Sequence, residues 1–257
     1  MGRTTRIQLC GRLVAELDGN PVQEALPGRQ GRALFGYLAA NRHRAHTRDA
    51  LMEALWPERA PASADSALSA LLSGMRRALG EGALEGRGEI RLCLDADAWV
   101  DLEAAEESIH RAESAVARQA WTRVWGPSLA ALAISRRVFL PEVDAPWADV
   151  WRRRLEEVRL SALECYSACA LGIGGGELPV GERAARELVD AAPFREQGQL
   201  LLMRTLAARG NVAEALRAYE EVRCLLRDEL GAAPGPELRA FQAQLLRDTA
   251  SGATQGA

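Results

Sequence analysis

The 257-residue chain contains no lysine; all 32 of its Lys+Arg side chains are arginine. Codon bias in a GC-rich genome is the bland explanation, yet the absence still excludes chemistry. A Walker-type phosphate loop needs a lysine, so none lies on this chain. Schiff-base catalysis has no amine to use. A phosphoacceptor receiver domain, which also uses a lysine, is not expected on the same ground. Long apolar runs are missing too, so no membrane span is expected. The opening Met1-Gly-Arg-Thr-Thr-Arg-Ile7 lacks the apolar core of a signal peptide, which makes a cytoplasmic protein the expectation. The five cysteines (Cys10, Cys93, Cys165, Cys169, Cys224) form no CxxC and no regular spacing, as befits buried free thiols in a reducing cytosol.

The candidates for chemistry are as few. Cys165 and Cys169 lie one helical turn apart without further ligands nearby, and His43-x-x-His46 lacks a third ligand at zinc spacing, so no metal is expected. Gly172-Ile-Gly174-Gly-Gly176 follows a helix rather than a strand and reads as a helix–helix loop, not a dinucleotide fingerprint. Trp121/Trp125 and Trp147/Trp151 are pairs at helical spacing and read as packing. Arg152-Arg-Arg154, with Glu156-Glu157, reads as a solvated helix face. With three histidines and no nucleophile–base–orienter set, the expectation is no catalytic residue, no cofactor and no enzyme.

The net charge of −3 is unevenly shared. Residues 1–94 carry 13 Arg against 10 Asp+Glu, and residues 95–257 carry 19 Arg against 25. The first part suits phosphate contact; the acidic remainder suits protein partners. Arg6 to Val22 alternates in hydropathy around an Asp18-Gly19-Asn20 turn and predicts short strands. Gly28–Ala40 reads as a helix with Leu34, Tyr37 and Leu38 inward. Thr47 is the predicted N-cap of a second helix, 48–55.

The most informative stretch is Ser63 to Leu94. Leu68, Leu71, Leu72, Met75 and Leu79 define the buried stripe of a third helix. Ser66, Ser69, Ala70, Ser73 and Arg77 take its opposite side. A Gly86-Arg87-Gly88 hairpin follows. Small polar residues let a helix enter a major groove closely, and arginine can pair with guanine or hold a phosphate. That is a winged helix-turn-helix pattern, weighed against an ordinary surface helix and a solvated turn. The predicted DNA-binding residues are Ser66, Ser69, Ser73, Arg76 and Arg77 on the helix and Arg87 on the wing. Arg29, Arg32 and Arg48 would position the DNA backbone, within a basic cluster that also holds Arg42, His43, Arg44 and His46. A solvated surface is the alternative for that cluster.

Beyond Asp101 the chain reads as almost all helix, with breaks predicted at Gly126-Pro127, Pro141, Pro146, Gly174–Gly176, Pro193, Gly210 and Pro234–Pro236. Ala184, Leu188 and Ala192-Pro193 echo Ala215, Tyr219 and, less closely, Ala233-Pro234. The first two pairs are offset by 31, near the tetratricopeptide (TPR) period of about 34. The expected fold is mainly α with a small β component: a winged helix-turn-helix domain over 1–97, an all-α TPR-like helical repeat domain over 98–248, and a disordered tail at 249–257.

The chain resembles the Streptomyces antibiotic regulatory protein (SARP) family. The residues that carry the resemblance are Arg6-Ile-Gln-Leu-Cys-Gly11 with Asp18-Gly19; Arg48-Asp-Ala-Leu-Met-Glu-Ala-Leu-Trp-Pro57; Ala67-Leu68 with Met75-Arg-Arg-Ala-Leu-Gly80; Leu155-Glu-Glu-Val-Arg-Leu-Ser-Ala-Leu-Glu164; Arg209-Gly-Asn-Val-Ala-Glu-Ala-Leu-Arg-Ala-Tyr219; and Leu226-Arg-Asp-Glu-Leu-Gly231 with Pro234-Gly-Pro-Glu-Leu-Arg239. The resemblance implies an OmpR-type winged helix joined to a bacterial transcriptional activation domain. It implies an activator that binds direct repeats in double-stranded promoter DNA near the −35 element and recruits RNA polymerase through contacts that include a sigma factor. Tandem repeats would need at least two copies, as a homodimer on DNA. Some larger relatives append an ATPase domain, and none is expected within these residues.

Two departures stand out. Gly74 lies where relatives often carry a basic or larger polar residue; it either admits a close backbone approach to DNA or marks a weakened reader. Ile134 to Pro146 reads as an extension: a partner surface, a lid over the helical array, or plain packing. The rival function is a TPR-like protein–protein adaptor with a degenerate winged helix, supported by Gly74 and the modest positive balance.

Overall fold

The computed structural model describes residues 5–255, with side chains described to residue 250. Residues 1–4, part of the stretch read above for a signal peptide, lie outside the described residues. The described chain is mainly α with a small β component, and it divides into two compact units. One comprises residues 1–107 and 133–157; the other comprises 108–132 and 158–257.

The first unit opens with three short strands, β1 (Arg6–Gln8), β2 (Val14–Leu17) and β3 (Asn20–Pro21). Asp18 and Gly19 both take positive φ, 51° and 77°, as the tight turn between β2 and β3 requires. Three helices follow: α1 (Gly28–Ala40), α2 (Arg48–Leu55) and α3 (Ala64–Leu79). Thr47 caps α2 as predicted, its side chain accepting from the Ala50 N–H. In α3, Ala64, Leu68, Leu72, Met75 and Leu79 are buried; Leu71, expected inside, is only half-buried. Tyr37 of α1 is likewise half-buried.

Strand β4 (His46–Thr47) was not foreseen. It pairs antiparallel with β6 (Glu89–Leu92), which pairs on its other side with β5 (Leu84–Glu85). The β5–β6 hairpin is the wing. A second unforeseen strand, β7 (Trp99–Val100), runs parallel to β1 and completes a sheet of order β3-β2-β1-β7. β7 leads into α4 (Asp101–Ala117). Asp101, fully buried, accepts hydrogen bonds from the Leu9 and Cys10 amides at 2.8–3.0 Å. These bonds tie the start of α4 to the end of β1.

The 134–146 segment packs within this first unit. Cys10 and Phe139 form an antiparallel bridge, Gly11 N donates to Val138 O, and Leu140 N donates to Leu9 O. Phe139 and Leu140 are buried, and a Cβ on Gly36 of α1 would lie 2.5 Å from Leu140. Arg152 is not a freely solvated residue. It donates to the carbonyls of Phe139, Leu140 and Val143 and pairs with Asp149. Trp147 packs edge-on to Tyr37 and Phe139, and its Nε1 donates to Ala54 O.

Helix α5 (Trp121–Ser135) runs through Gly126-Pro127, where a break was predicted. Proline there forfeits a single helical hydrogen bond, and the helix continues on its other bonds. Helix α6 (Pro146–Ile173) begins at a proline, which suits a first helical position.

In the second unit, α7 (Leu178–Ala191), α8 (Glu196–Ala208), α9 (Val212–Leu230) and α10 (Pro236–Gln255) pack as successive neighbours, with α10 against both α8 and α9. Ala184 and Leu188 are buried, as are their echoes Ala215 and Tyr219, so the internal repeat marks equivalent inward positions. The core joins Leu200, Met203, Leu206, Tyr219, Val222, Leu226, Leu238 and Leu245. Trp125 packs on Tyr166, and Trp121 lies so close to Gly172 that a Cβ there would sit 2.3 Å from the indole. That glycine serves packing. Helix α10 extends to Gln255, and residues 256–257 of the expected tail lie outside the described residues.

Candidate nucleic-acid interface

The outward face of α3 carries Ser66, Ser69, Ala70, Ser73 and Arg77, all exposed. They recur at three- and four-residue spacing opposite the buried stripe, so the face is narrow and has only one long side chain. Arg76, one position from Arg77, is turned about 100° around the helix. It is half-buried and donates to the Gly86 carbonyl at 2.5 Å, latching α3 to the wing. Gly86 has φ 86°, and a Cβ there would meet the Glu89 carbonyl oxygen at 1.8 Å. Only glycine fits this turn, and its geometry holds exposed Arg87 at the tip. Strand β6 alternates, with Ile90 and Leu92 buried and Glu89 and Arg91 exposed. Arg91 was missed by the sequence reading, although this alternation points it outward beside Arg87. The side chains of Arg77, Arg87 and Arg91 have no hydrogen bond or ion pair among the described residues.

The basic cluster around α1 does not form one patch. Arg29 donates to the Glu142 carbonyl at 2.7 and 3.1 Å, and Arg32 lies 3.8 Å from the Glu142 carboxylate. Arg42 forms a bidentate pair with Glu103 at 2.6 and 2.7 Å, and His43 joins the same carboxylate at 2.9 Å. Burial pushes the Glu103 carboxyl up, but the Arg42 bonds and charge, with His43, outweigh it and hold the group below the ordinary carboxylate value. Arg44 bonds to Asn41. His46 is buried edge-on to Tyr37, and burial lowers its basicity. Arg48 alone of the cluster reaches α3, where it pairs with Asp65 and donates to Ser69 Oγ.

Gly74 faces inward. A Cβ there would sit 3.2 Å from Pro27, the residue before α1. The close approach is between α3 and Pro27, and the outward face keeps its serines.

The family model described as "Bacterial transcriptional activator domain" matches residues 100–246. The chain belongs to the bacterial transcriptional activator domain family. The resemblance to the SARP regulators extends across nearly the whole chain. "Regulatory protein DnrI" of Streptomyces peucetius is 30% identical over 256 residues, covering 94% of this chain and 92% of that protein. "Regulatory protein AfsR" of Streptomyces griseus is 34% identical over 220 residues, covering 85% of this chain and 22% of that protein. The solved structure "Mycobacterium tuberculosis EmbR in complex with low affinity phosphopeptide" superposes with a TM-score of 0.83 at 26% identity, covering 96% of this chain and 66% of that one. The chain thus spans about a quarter of the AfsR relatives' length and 62% of "Transcriptional regulatory protein EmbR" of Mycobacterium tuberculosis. Among the described residues, no helix of this activator-domain protein is long and apolar enough to cross a membrane.

Proposed function

We propose that the protein is a DNA-binding transcriptional activator of the cytoplasm, with no enzymatic activity of its own. The outward face of α3 enters the major groove, with Ser66, Ser69, Ser73 and Arg77 toward base edges. Arg87 and Arg91 of the wing hold phosphates. Residues 1–97 carry the DNA contacts, and residues 98–248 recruit RNA polymerase through contacts that include a sigma factor. Two copies occupy tandem direct repeats as a homodimer on DNA.

The observation that carries this reading is the pairing of a narrow, small-residue helix face with unpartnered arginines on the adjoining wing. Electrostatic attraction to phosphate needs cations not already neutralised within the protein. The names of the relatives, regulators all, support the same direction. The adaptor alternative leaned on Gly74 and on the modest positive balance, and the packing of Gly74 on Pro27 accounts for the first of these without a degenerate winged helix.

An electrophoretic shift of the full chain on duplex DNA from its own upstream region tests the proposal. The expected result is a shifted complex that dissociates steeply as salt rises. Absence of binding at low salt would sink it. The full chain is needed because Asp101 and residues 133–157 belong to the same compact unit as α3.

A further inference from the structure

Arg48, the first residue of α2, makes three hydrogen bonds to α3. Nε donates to Asp65 Oδ1 at 2.9 Å. Nη2 donates to the Asp65 carbonyl at 3.0 Å and to Ser69 Oγ at 2.8 Å. Both N–H bonds of Nη2 are thereby used.

This arrangement constrains the Ser69 hydroxyl. A serine within a helix commonly turns its O–H back to the carbonyl four residues earlier, which here is Asp65. That carbonyl has two lone pairs. One receives the helical N–H of Ser69 and the other receives Arg48 Nη2. The guanidinium also fills one lone pair of Ser69 Oγ. The hydroxyl proton is left without the Asp65 carbonyl as acceptor, it makes no bond to the Ser66 carbonyl three residues back among the described residues, and Ser69 is exposed. Ser66 and Ser73, on the same face, have no such arginine and keep their back-bonding option.

We propose that Arg48 is a positioning residue that fixes Ser69 as an outward hydrogen-bond donor, making Ser69 a specificity-determining contact to an acceptor atom on a base edge. The proposal rests on the DNA-binding reading above. In the major groove, guanine N7 and O6, adenine N7 and thymine O4 accept such a bond. Cytosine presents its N4 donor there, which cannot receive the hydroxyl proton and could use only the one remaining lone pair of Ser69 Oγ. The Asp65 carboxylate, 70% exposed and otherwise repulsive to phosphate, is neutralised by the same arginine.

The test is selection of a random duplex library by the full chain, followed by affinity measurements on the selected sequence. Ser69→Ala is expected to relax discrimination at a single base pair by about fivefold, the worth of one hydrogen bond, and to leave the other positions unchanged. Arg48→Gln relaxes the same pair and weakens all sequences. Arg48→Lys restores the charge, and with it the overall affinity, but not the preference, since an ammonium does not reproduce the guanidinium's fixed fork. Within a Ser69→Ala background, Arg48→Lys adds nothing at that pair. Replacing the contacted acceptor atom, with 7-deazapurine where it is N7, weakens the unmodified protein about fivefold and leaves Ser69→Ala indifferent.

A uniform loss across all sequences in Ser69→Ala overturns the proposal, as does full retention of the preference in Arg48→Lys. Thermal melts show which variants fold; should Arg48→Gln fail, Arg48→Lys and the base analogue decide. A protein that binds no duplex at low salt fails at the earlier reading, a result distinct from binding with no Ser69-dependent base pair.

Discussion

Two sets of arginines sit in the same compact unit and differ in what they touch. Arg29, Arg32, Arg42 and Arg152 are held by carbonyl or carboxylate oxygens of their own chain. Arg77, Arg87 and Arg91 have no such partner among the described residues. A guanidinium is always charged, so the difference lies in which anion balances it. The held set spends its donors on the fold, while the free set leaves its donors to an external anion. The positive balance of residues 1–94 therefore overstates the cations near α1 and understates the importance of those near the wing.

The strongest way to break this comparison is to remove each set in turn. A triple variant, Arg77→Ala with Arg87→Ala and Arg91→Ala, is expected to lose about 100-fold in duplex affinity, with the log–log salt slope flatter by about 1.8 from the two phosphate contacts of the wing. Removing Arg29 and Arg32 is expected to flatten it by less than one. Fluorescence anisotropy across a salt series measures both. Equal losses from the triple and the double change would erase the distinction.

The held set should register in stability instead. Arg152→Ala removes three bonds to the carbonyls of residues 139, 140 and 143 and is expected to cost about 2 kcal/mol in urea unfolding. Arg42→Ala, half-exposed at its Glu103 partner, is expected to cost about 1 kcal/mol. It also has a pH signature. The Glu103 carboxyl titrates lower in the folded protein than its ordinary value of 4.5, so the unfolded chain takes up the proton first. That contribution is whole above pH 4.5 and fades as pH falls through the folded value. Arg42→Ala should flatten the acid limb of stability, and an unchanged limb would assign the effect to another group.

The sequence made the local features of this unit legible. Helices α1, α2 and α3 follow from apolar spacing and from the Thr47 cap, which act within a few residues. The wing follows from Gly86-Arg-Gly88. The missed features depend on partners distant in the chain. β7 is only Trp99–Val100, too short to display a period, and exists because β1 lies alongside it. The packing of 134–146 against Leu9 to Gly11 spans about 130 residues and leaves no local mark. Arg76 and Arg77 look equivalent in sequence, yet one helical step puts the first on the Gly86 carbonyl and the second in solvent. The predicted base-contact serines share a face because of simple periodicity. The predicted backbone-contact arginines diverge because Arg29 and Arg32 find their partner at residue 142, while Arg48 finds its partners on α3.

Gly74 provides the smallest and sharpest discrimination. Alanine in a helix interior gains up to about 1 kcal/mol over glycine. Against this, a Cβ at 74 would sit 3.2 Å from Pro27 and require a shift of a few tenths of an ångström. The two effects oppose each other, so Gly74→Ala is expected to change unfolding free energy by less than about 1 kcal/mol. Duplex affinity should stay within about twofold, because the new methyl points at Pro27 while Ser66, Ser69, Ser73 and Arg77 keep their exposure. If instead the glycine admitted DNA backbone, the methyl would strike it, and affinity would fall by more than tenfold with stability unchanged. A thermal melt paired with anisotropy on one selected duplex separates these outcomes, since packing against Pro27 and contact with DNA place the same methyl on different faces of α3.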